Sequence, residues 1–292
     1  MEQLYDQYRA LLFTLAYQLT GSATDAEDAV QDVFVKACDI LPERLEEPKA
    51  YLCKMVTNHC LNLQKSARKR RELYIGPWLP EPIRTPEEDT FETTVIRHDL
   101  LSYAMLVLLE RLTPAERTVF VLREAMGFDY PELAELLDKR EANCRKLMSR
   151  ARSKMGISEG EPVAAEAVEK AWVSRFIASL KQGNVDQLMS LLTEDVIIVS
   201  DGGGKVNAFK HPVRTRGHVA RILVEGLLGK ISDNQEKLHI EVAPMNGETG
   251  IVVRSGGEPL VAMLLQLRHG KLAEMYAVGN PDKLVRVVHP RL

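Results

Sequence analysis

Cysteine is scarce and badly spaced for chemistry. The 292 residues hold four, Cys38, Cys53, Cys60 and Cys144, and no two of them form a CxxC pair. This excludes a zinc ribbon and a dithiol redox motif, and isolated thiols of this kind serve as small core residues in a reducing compartment. No run approaches the ~18 apolar residues of a membrane helix. The opening MEQLYDQYRA has two acids and no basic stretch ahead of an apolar one, so no secretory leader is expected and the expected compartment is the cytoplasm. Internal repeats and low-complexity tracts are lacking too. Neither sign of charge is in excess: 38 Lys+Arg stand against 41 Asp+Glu, a net charge of −3. That balance excludes a uniformly basic nucleic-acid coat but leaves room for local basic patches. What remains is an ordinary globular composition, 45% hydrophobic and 27% charged, in a chain long enough for two or more cores.

Three regimes follow one another. Residues 1–72 have helical period, with Leu4, Tyr8, Leu11, Leu12, Leu15 and Leu19 at three- and four-residue steps. Gly21-Ser22 breaks that helix. Ser22 or Thr24 can cap the next, which opens on Asp25, Glu27 and Asp28, acids suited to a helix N-terminus. A third helix from about Ala50 turns Leu52, Val56, Cys60 and Leu63 inward and ends in KSARKRRE. From 73 a linker begins, YIGPWLPEPIRTPEEDT, whose four prolines and one glycine forbid a long helix. Helical period resumes near Thr90 and runs to Met155. Beyond GISEGEP, two helices at about 163–182 and 184–192 precede strand-like runs at 196–200, 238–243, 249–255 and 259–279, the last with His269-Gly270 as a hairpin turn. The first half is therefore all-α and the last part α+β.

Two segments are basic. Residues 113–155 place Leu133, Ala134, Leu136 and Leu137 on a short helix, a polar turn at Asp138, Lys139 and Arg140, and then an apolar stripe of Cys144, Leu147, Met148, Ala151 and Met155. The second helix carries Arg145, Lys146, Ser149, Arg150, Ser153 and Lys154 on its remaining faces. Two short helices around a tight turn, the second basic, form a helix-turn-helix pattern, in which one face packs and the other meets bases and phosphates. A plain helical hairpin with a solvated basic face has the same pattern. The other basic segment, Lys65, Arg68, Lys69, Arg70 and Arg71, closes the third helix, where cations suit the helix dipole and also suit phosphate. Tyr51, Lys54, Asn58 and Asn62 precede it at spacings that share one face, an aromatic with amides and cations that fits unpaired bases.

The segment TDAEDAVQDVFVKA resembles the polymerase-binding helix of the extracytoplasmic-function group of bacterial sigma factors, in Asp25, Ala26, Glu27, Asp28, Val30, Gln31, Asp32 and Phe34. YLCKMVTNHCLNLQKSARKRR is similar to that group's promoter-melting helix. LERLTPAERTVFVLREAMGFDYPELAELLDKREANCRKLMSRARSKM is similar to its minus-thirty-five domain. YIGPWLPEP, DGGGK at 201–205 and NPDKL at 280–284 resemble the subgroup with a fused SnoaL-like extension. The resemblance implies a multidomain chain: sigma region 2 over 1–72, a Pro-rich linker with the WLPEP motif over 73–95, a region 4 helix-turn-helix over 96–158, and a SnoaL-like α+β cone over 163–292.

It also implies roles. Asp25, Glu27, Asp28, Gln31, Asp32 and Phe34 would meet the β′ clamp helices of core RNA polymerase, with the β flap as a further polymerase contact. Tyr51, Lys54, Asn58, Asn62, Arg68, Lys69 and Arg70 would meet the minus-ten element of promoter DNA. Arg140, Glu141, Asn143, Arg145, Lys146 and Arg150 would meet the minus-thirty-five element. Regulation in cis would use Trp78, Leu79, Pro80, Glu81 and Pro82 of the linker with Asp201, Gly202, Gly203, Lys205, Asn280, Pro281, Asp282 and Lys283. Its sign is open, because a clamp can forbid the separation of the two DNA-binding domains or pre-set it.

Read by its residues alone, the linker's Trp78-Leu79-Pro80 is a rigid apolar knob that either docks elsewhere or caps its own domain. DGGGK is not a P-loop, since the GxxxxGK[ST] frame is absent. Asp195, Asp201, His211, His218 and His239 are acid/base types without a spacing that specifies catalysis or a metal, so neither enzyme activity nor a cofactor is expected. The cone leaves room for an unidentified small-molecule ligand. Two other classes fit parts of the pattern: a DNA-binding regulator that ignores polymerase, and a cone enzyme with a DNA-binding head. Core-polymerase pull-down and pocket turnover separate them.

Overall fold

The computed structural model describes residues 2–38, 47–85, 101–158, 166–233 and 238–288, with the side chains of 65–72 and 227–233 outside that description. Contacts divide the chain into two compact units, Met1–Glu72 with Glu88–Ala164 and Leu73–Glu87 with Ala165–Arg291.

The first unit is helical. Helix α1 (Glu2–Thr20) is buried on every side from Leu12 onward, more than a single apolar stripe predicts, because Phe13, Ala16 and Tyr17 also face neighbours. Ser22 caps α2 (Ala23–Ala37), its hydroxyl accepting from the Asp25 amide at 3.1 Å. Helix α3 spans Pro48–Glu72. Then come α4 (Tyr103–Leu109), α5 (Pro114–Glu124), α6 (Tyr130–Leu136) and α7 (Glu141–Met155). Thr113 with Glu116, and Asp129 with Glu132, form reciprocal capping boxes that fix where α5 and α6 start. Gly156 ends α7 in the left-handed conformation, φ 73°.

The two helical modules are stitched together by buried polar groups. The Gln18 carboxamide accepts from the Leu101 amide at 3.1 Å, and Arg117 Nε donates to the Gln18 carbonyl at 2.8 Å. Arg117 also pairs with Glu110 and is 4% exposed. The Gln18 carbonyl, in the last turn of α1, thus finds its partner on α5.

The second unit is a six-stranded sheet in the order β2-β1-β6-β5-β4-β3. Its strands are β1 (Leu192–Asp201), β2 (Val213–Arg214), β3 (His239–Met245), β4 (Glu248–Ser255), β5 (Glu258–Arg268) and β6 (Lys271–Val278). Only β1 and β6 pair in parallel. Helices α8 (Lys170–Lys181), α9 (Val185–Ser190) and α10 (Arg216–Asp233) pack against this sheet, the α+β arrangement expected of a cone. A 3-10 turn (Pro281–Lys283) and α11 (Val285–Val288) follow β6. The β5–β6 hairpin turns at His269 and Gly270, both at positive φ, as the dipeptide predicts. Helix α10 and the two-residue β2 have no counterpart in the sequence expectations.

Trp172 stacks on Phe176 at 5.3 Å and donates Nε1 to the Gly270 carbonyl at 2.9 Å. Around them Leu188, Val196, Val219, Ile251, Leu265 and Met275 fill the cone with apolar side chains.

Candidate functional site

On α2 the packing splits the residues that resemble a polymerase-binding set. Asp28, Gln31 and Asp32 are exposed, and Asp25 and Glu27 are half-buried. Phe34 points inward, 6% exposed, edge-on to Tyr5 at 4.9 Å. Its role is to hold α1 against α2. The apolar residue presented outward is Val35, 70% exposed, one turn past Gln31. Sequence reasoning missed it because the motif places the aromatic, not its neighbour, in the foreground. Asp32 also lies 3.7 Å from His59 on α3.

On α3, Tyr51, Asn58 and Asn62 are exposed along one face, as their spacing predicts. Lys54 is on that face but is engaged: its Nζ donates to Asp138 at 3.0 Å and to the Glu135 carbonyl at 3.4 Å, both at the helix-turn-helix. Asp138 adopts φ 51°, which carries its carboxylate out of the turn toward α3. Arg68, Lys69 and Arg70 lie on the last turns of α3, where side chains fall outside the description. Cys53 and Cys60 face the core, and burial pushes both thiols up to about 12, so neither is a nucleophile at neutral pH.

Helix α7 carries two polar stripes beside its buried Cys144, Met148, Ala151 and Met155. Asn143, Lys146 and Arg150 are exposed on one. Arg145, Ser149 and Arg152 face a groove of about 490 Å³ between α5, α6 and α7. Tyr130 stands in that groove between two guanidiniums, Arg123 at 5.0 Å and Arg145 at 4.1 Å from its ring centroid. Arg145 is further held by Glu141, one helical turn away, at 3.1 Å, and Arg152 by Glu124 at 2.9 Å. Arg140 precedes the helix as its N-terminal flanking residue and is exposed. Arg123 and Tyr130 are absent from the sequence expectations. They stand before α7 in the chain, and only folding brings them beside Arg145.

Within the second unit, the linker and the two motifs of the extension converge. Asp201, 1% exposed, ends β1. Its Oδ2 accepts the Leu79 amide at 2.9 Å and pairs with Lys283 Nζ at 2.7 Å. Its Oδ1 accepts from the Tyr74 hydroxyl at 2.6 Å and the Gly203 amide at 3.0 Å. Lys283 Nζ also donates to the Leu79 carbonyl at 2.6 Å and sits 4.0 Å over the Trp78 ring. The pair therefore grips both main-chain polar groups of one linker residue. Leu79 is buried to 1% exposure, with Pro80 and Pro82 buried and Glu81 half-buried. Burial and the Asp201 carboxylate hold the Tyr74 phenol well above its usual range, so it remains a donor.

Asn280 caps the turn that follows it, accepting from the Asp282 amide at 3.1 Å, and donates to the Tyr74 hydroxyl at 2.8 Å. Pro281 opens that turn and Asp282 pairs with Lys205 at 2.6 Å. Gly203 is required by space: a β-carbon there would come within 2.3 Å of Asn280 Nδ2. Gly202 bends back so that its carbonyl accepts the Lys205 amide at 2.9 Å.

Further along, the linker behaves as an added strand. The Ile83 amide donates to Asn246 Oδ1 at 3.0 Å, the Ile83 carbonyl accepts the Asn246 amide at 2.8 Å, and the Thr85 amide donates to the Pro244 carbonyl at 2.9 Å. Arg84 pairs with Glu241 at 2.6 Å, and Glu241 also holds Arg254 at 2.9 Å. Burial raises the Glu241 carboxyl, but the two guanidiniums outweigh it and hold it below the usual range. No sequence signal marks this pairing, since its partners lie some 160 residues away.

The acid/base types show no joint site. Asp195 is exposed and paired with Arg268, Asp201 is consumed by the linker, and His211, His218 and His239 are exposed. Among the described residues, no group of His, Cys, Asp and Glu could hold a metal, and no helix is long and apolar enough to cross a membrane.

The Sigma-70 region 2 family model matches residues 4–71 and the Sigma-70 region 4 model matches 102–155. The chain is 32% identical over 291 residues to the ECF RNA polymerase sigma factor SigJ of Mycobacterium tuberculosis, covering 96% of this chain and 91% of the relative. It is 31% identical to the probable ECF RNA polymerase sigma factor SigI of the same species, over 95% of this chain and 92% of that one. The crystal structure of Mycobacterium tuberculosis SigJ superposes with a TM-score of 0.77 at 29% identity, covering 98% of this chain and 99% of that chain.

Proposed function

The chain is an extracytoplasmic-function RNA polymerase sigma factor, and on that footing we propose how its surfaces divide the work. The exposed Asp28, Gln31, Asp32 and Val35 of α2 dock on the β′ clamp helices, and region 4 meets the β flap. An outward valine ringed by three polar side chains supports this, since a small apolar centre with a polar rim is how specific interfaces are built. Tyr51, Asn58 and Asn62, with the cations at 65–71, read the minus-ten element as it opens. Asn143, Lys146 and Arg150 read the minus-thirty-five duplex, while the Arg123, Tyr130 and Arg145 groove takes its phosphate backbone. The extension acts on this process in cis.

The observation that carries the cis reading is the grip of Asp201 and Lys283 on the amide and carbonyl of Leu79. The held stretch, 73–85, would span up to ~45 Å if extended. The two promoter elements lie about two helical turns or more apart, roughly 70 Å. Holding the linker removes much of the reach that the two reading modules need. Lys54 bonded to Asp138, and Arg117 bonded to Gln18, describe the same closed condition inside the helical unit. The extension thus restrains promoter engagement, and its release permits it.

Core binding tests the first assignment: Asp28→Arg with Gln31→Ala should abolish co-elution with core polymerase, and unchanged co-elution contradicts it. Run-off transcription by the full-length chain with the grip removed, Asp201→Asn/Lys283→Met, tests the restraint, which predicts more transcript than from the unaltered chain.

A further inference from the structure

We propose that the surface loop between β1 and β2, together with the first turns of α10, is a further nucleic-acid contact, taking the phosphate backbone of promoter DNA and one unstacked base. Charge is the first ground. Residues 202–224 hold five Lys or Arg and two His and no Asp or Glu, in a chain of net charge −3. Of these cations Lys205 pairs with Asp282 and Arg216 with Glu194 at 2.8 Å. Lys210, Arg214 and Arg221 are exposed and, among the described residues, meet no carboxylate. Three unneutralised cations on one short segment form a footprint for a polyanion.

The second ground is an aromatic held in the open. Phe209 is 41% exposed, yet its amide is fixed to Ser200 Oγ at 2.8 Å. Upstream the Lys205 amide is tied to the Gly202 carbonyl, and downstream Val213 is buried and paired with Ile198. The ring is therefore presented by a fastened loop, so little ordering cost remains at binding. An exposed ring beside cations that track a backbone is the arrangement that binds unpaired bases.

The third ground is placement along the chain. Ile75, 60% exposed, lies against Gly204, where a β-carbon would come within 2.8 Å of its Cδ1. Gly76 borders the Lys210 Cα in the same way, at 4.0 Å. Only four residues separate Gly76 from Arg71, the last cation of the KSARKRR run assigned to the minus-ten element. The loop is fastened to the chain that leaves that run.

This inference rests on the sigma-factor reading only for the identity of the nucleic acid. Its test uses the full-length protein bound to core polymerase and a labelled promoter fork with a single-stranded minus-ten segment, titrated between about 50 and 200 mM salt. Lys210→Gln/Arg214→Gln/Arg221→Gln should weaken binding at least about tenfold and reduce the salt slope by about two. Phe209→Ser should weaken the fork and leave fully paired DNA unaffected. Lys146→Gln/Arg150→Gln serves as the reference. If the triple variant binds like wild type while the reference weakens, the loop contact is wrong and the promoter reading stands; if both bind like wild type, the assigned minus-thirty-five readers fall as well. A photo-crosslinking side chain in place of Phe209, in an otherwise unaltered chain, guards against a folding defect. Adducts to DNA support the contact, and adducts to a polymerase subunit alone overturn it.

Discussion

Glu116 and Arg117 are adjacent, both buried, and do different work. Arg117 joins the two helical modules through Gln18 and Glu110. Removing one partner of a buried pair leaves the other uncompensated, so Arg117→Ala should cost about 3 kcal/mol in a denaturant melt, and Glu110→Gln in that background should recover part of it. Glu116 closes the Thr113 capping box and pairs with Lys154 at 2.7 Å. Burial raises its carboxyl, but Lys154 and Thr113 outweigh burial and hold it below the usual range. The folded state therefore binds fewer protons than the unfolded one. The contribution is complete above ~4.3 and is lost as pH falls through the folded value. Glu116→Gln should be less stable than wild type at pH 7, and the gap should shrink below about pH 4, as thermal melts across pH would record. At this scale the sequence is readable for type and blind to direction. Phe34 and Val35 are neighbours, and only the packing of Tyr5 decides which one faces out.

Among the elements, those with local causes were legible. Ser22 announces the start of α2 and His269-Gly270 the β5–β6 turn, because caps and tight turns draw on residues within four positions; Thr113 and Asp129, which cap α5 and α6, carry the same local signal, which sequence reasoning missed. Helix α10 carries Val219, Ala220 and Val224 on a buried face, a readable period that follows a Gly- and Pro-marked loop and escapes notice beside it. The linker strand at Ile83–Thr85 was not legible at all, since its hydrogen bonds are to β3 and the β3–β4 turn, some 160 residues away. The recognition helix shows both cases: its stripes can be read from sequence, while its groove with Arg123 and Tyr130 cannot. That division predicts distinct phenotypes. Lys146→Ala with Asn143→Ala should relax base preference at the minus-thirty-five element at ~1–3 kcal/mol per lost base contact. Arg123→Gln should weaken every sequence alike and lower the salt slope by about one, as anisotropy titrations on a panel of promoter variants would separate.

At the scale of the molecule, the net charge of −3 is a sum of opposed parts. Residues 65–71 hold five cations and no acid, residues 139–154 seven cations and one acid, and the acids of α2 are those proposed to meet polymerase. Such a chain should have little general affinity for DNA by itself and should bind a promoter well only with polymerase beside it. The linker is shared between these tasks. It connects the proposed readers in sequence, yet its described residues 73–85 fold as part of the extension. On the proposed restraint, one ion pair on one linker residue limits how far the readers can part. Exchanging both members avoids stranding a buried charge. The measurement that bears most directly on this is run-off transcription with core polymerase, comparing the full-length protein with Asp201→Asn/Lys283→Met at equal core occupancy. Restraint by the extension predicts more transcript from the double variant; equal or lower output would contradict it.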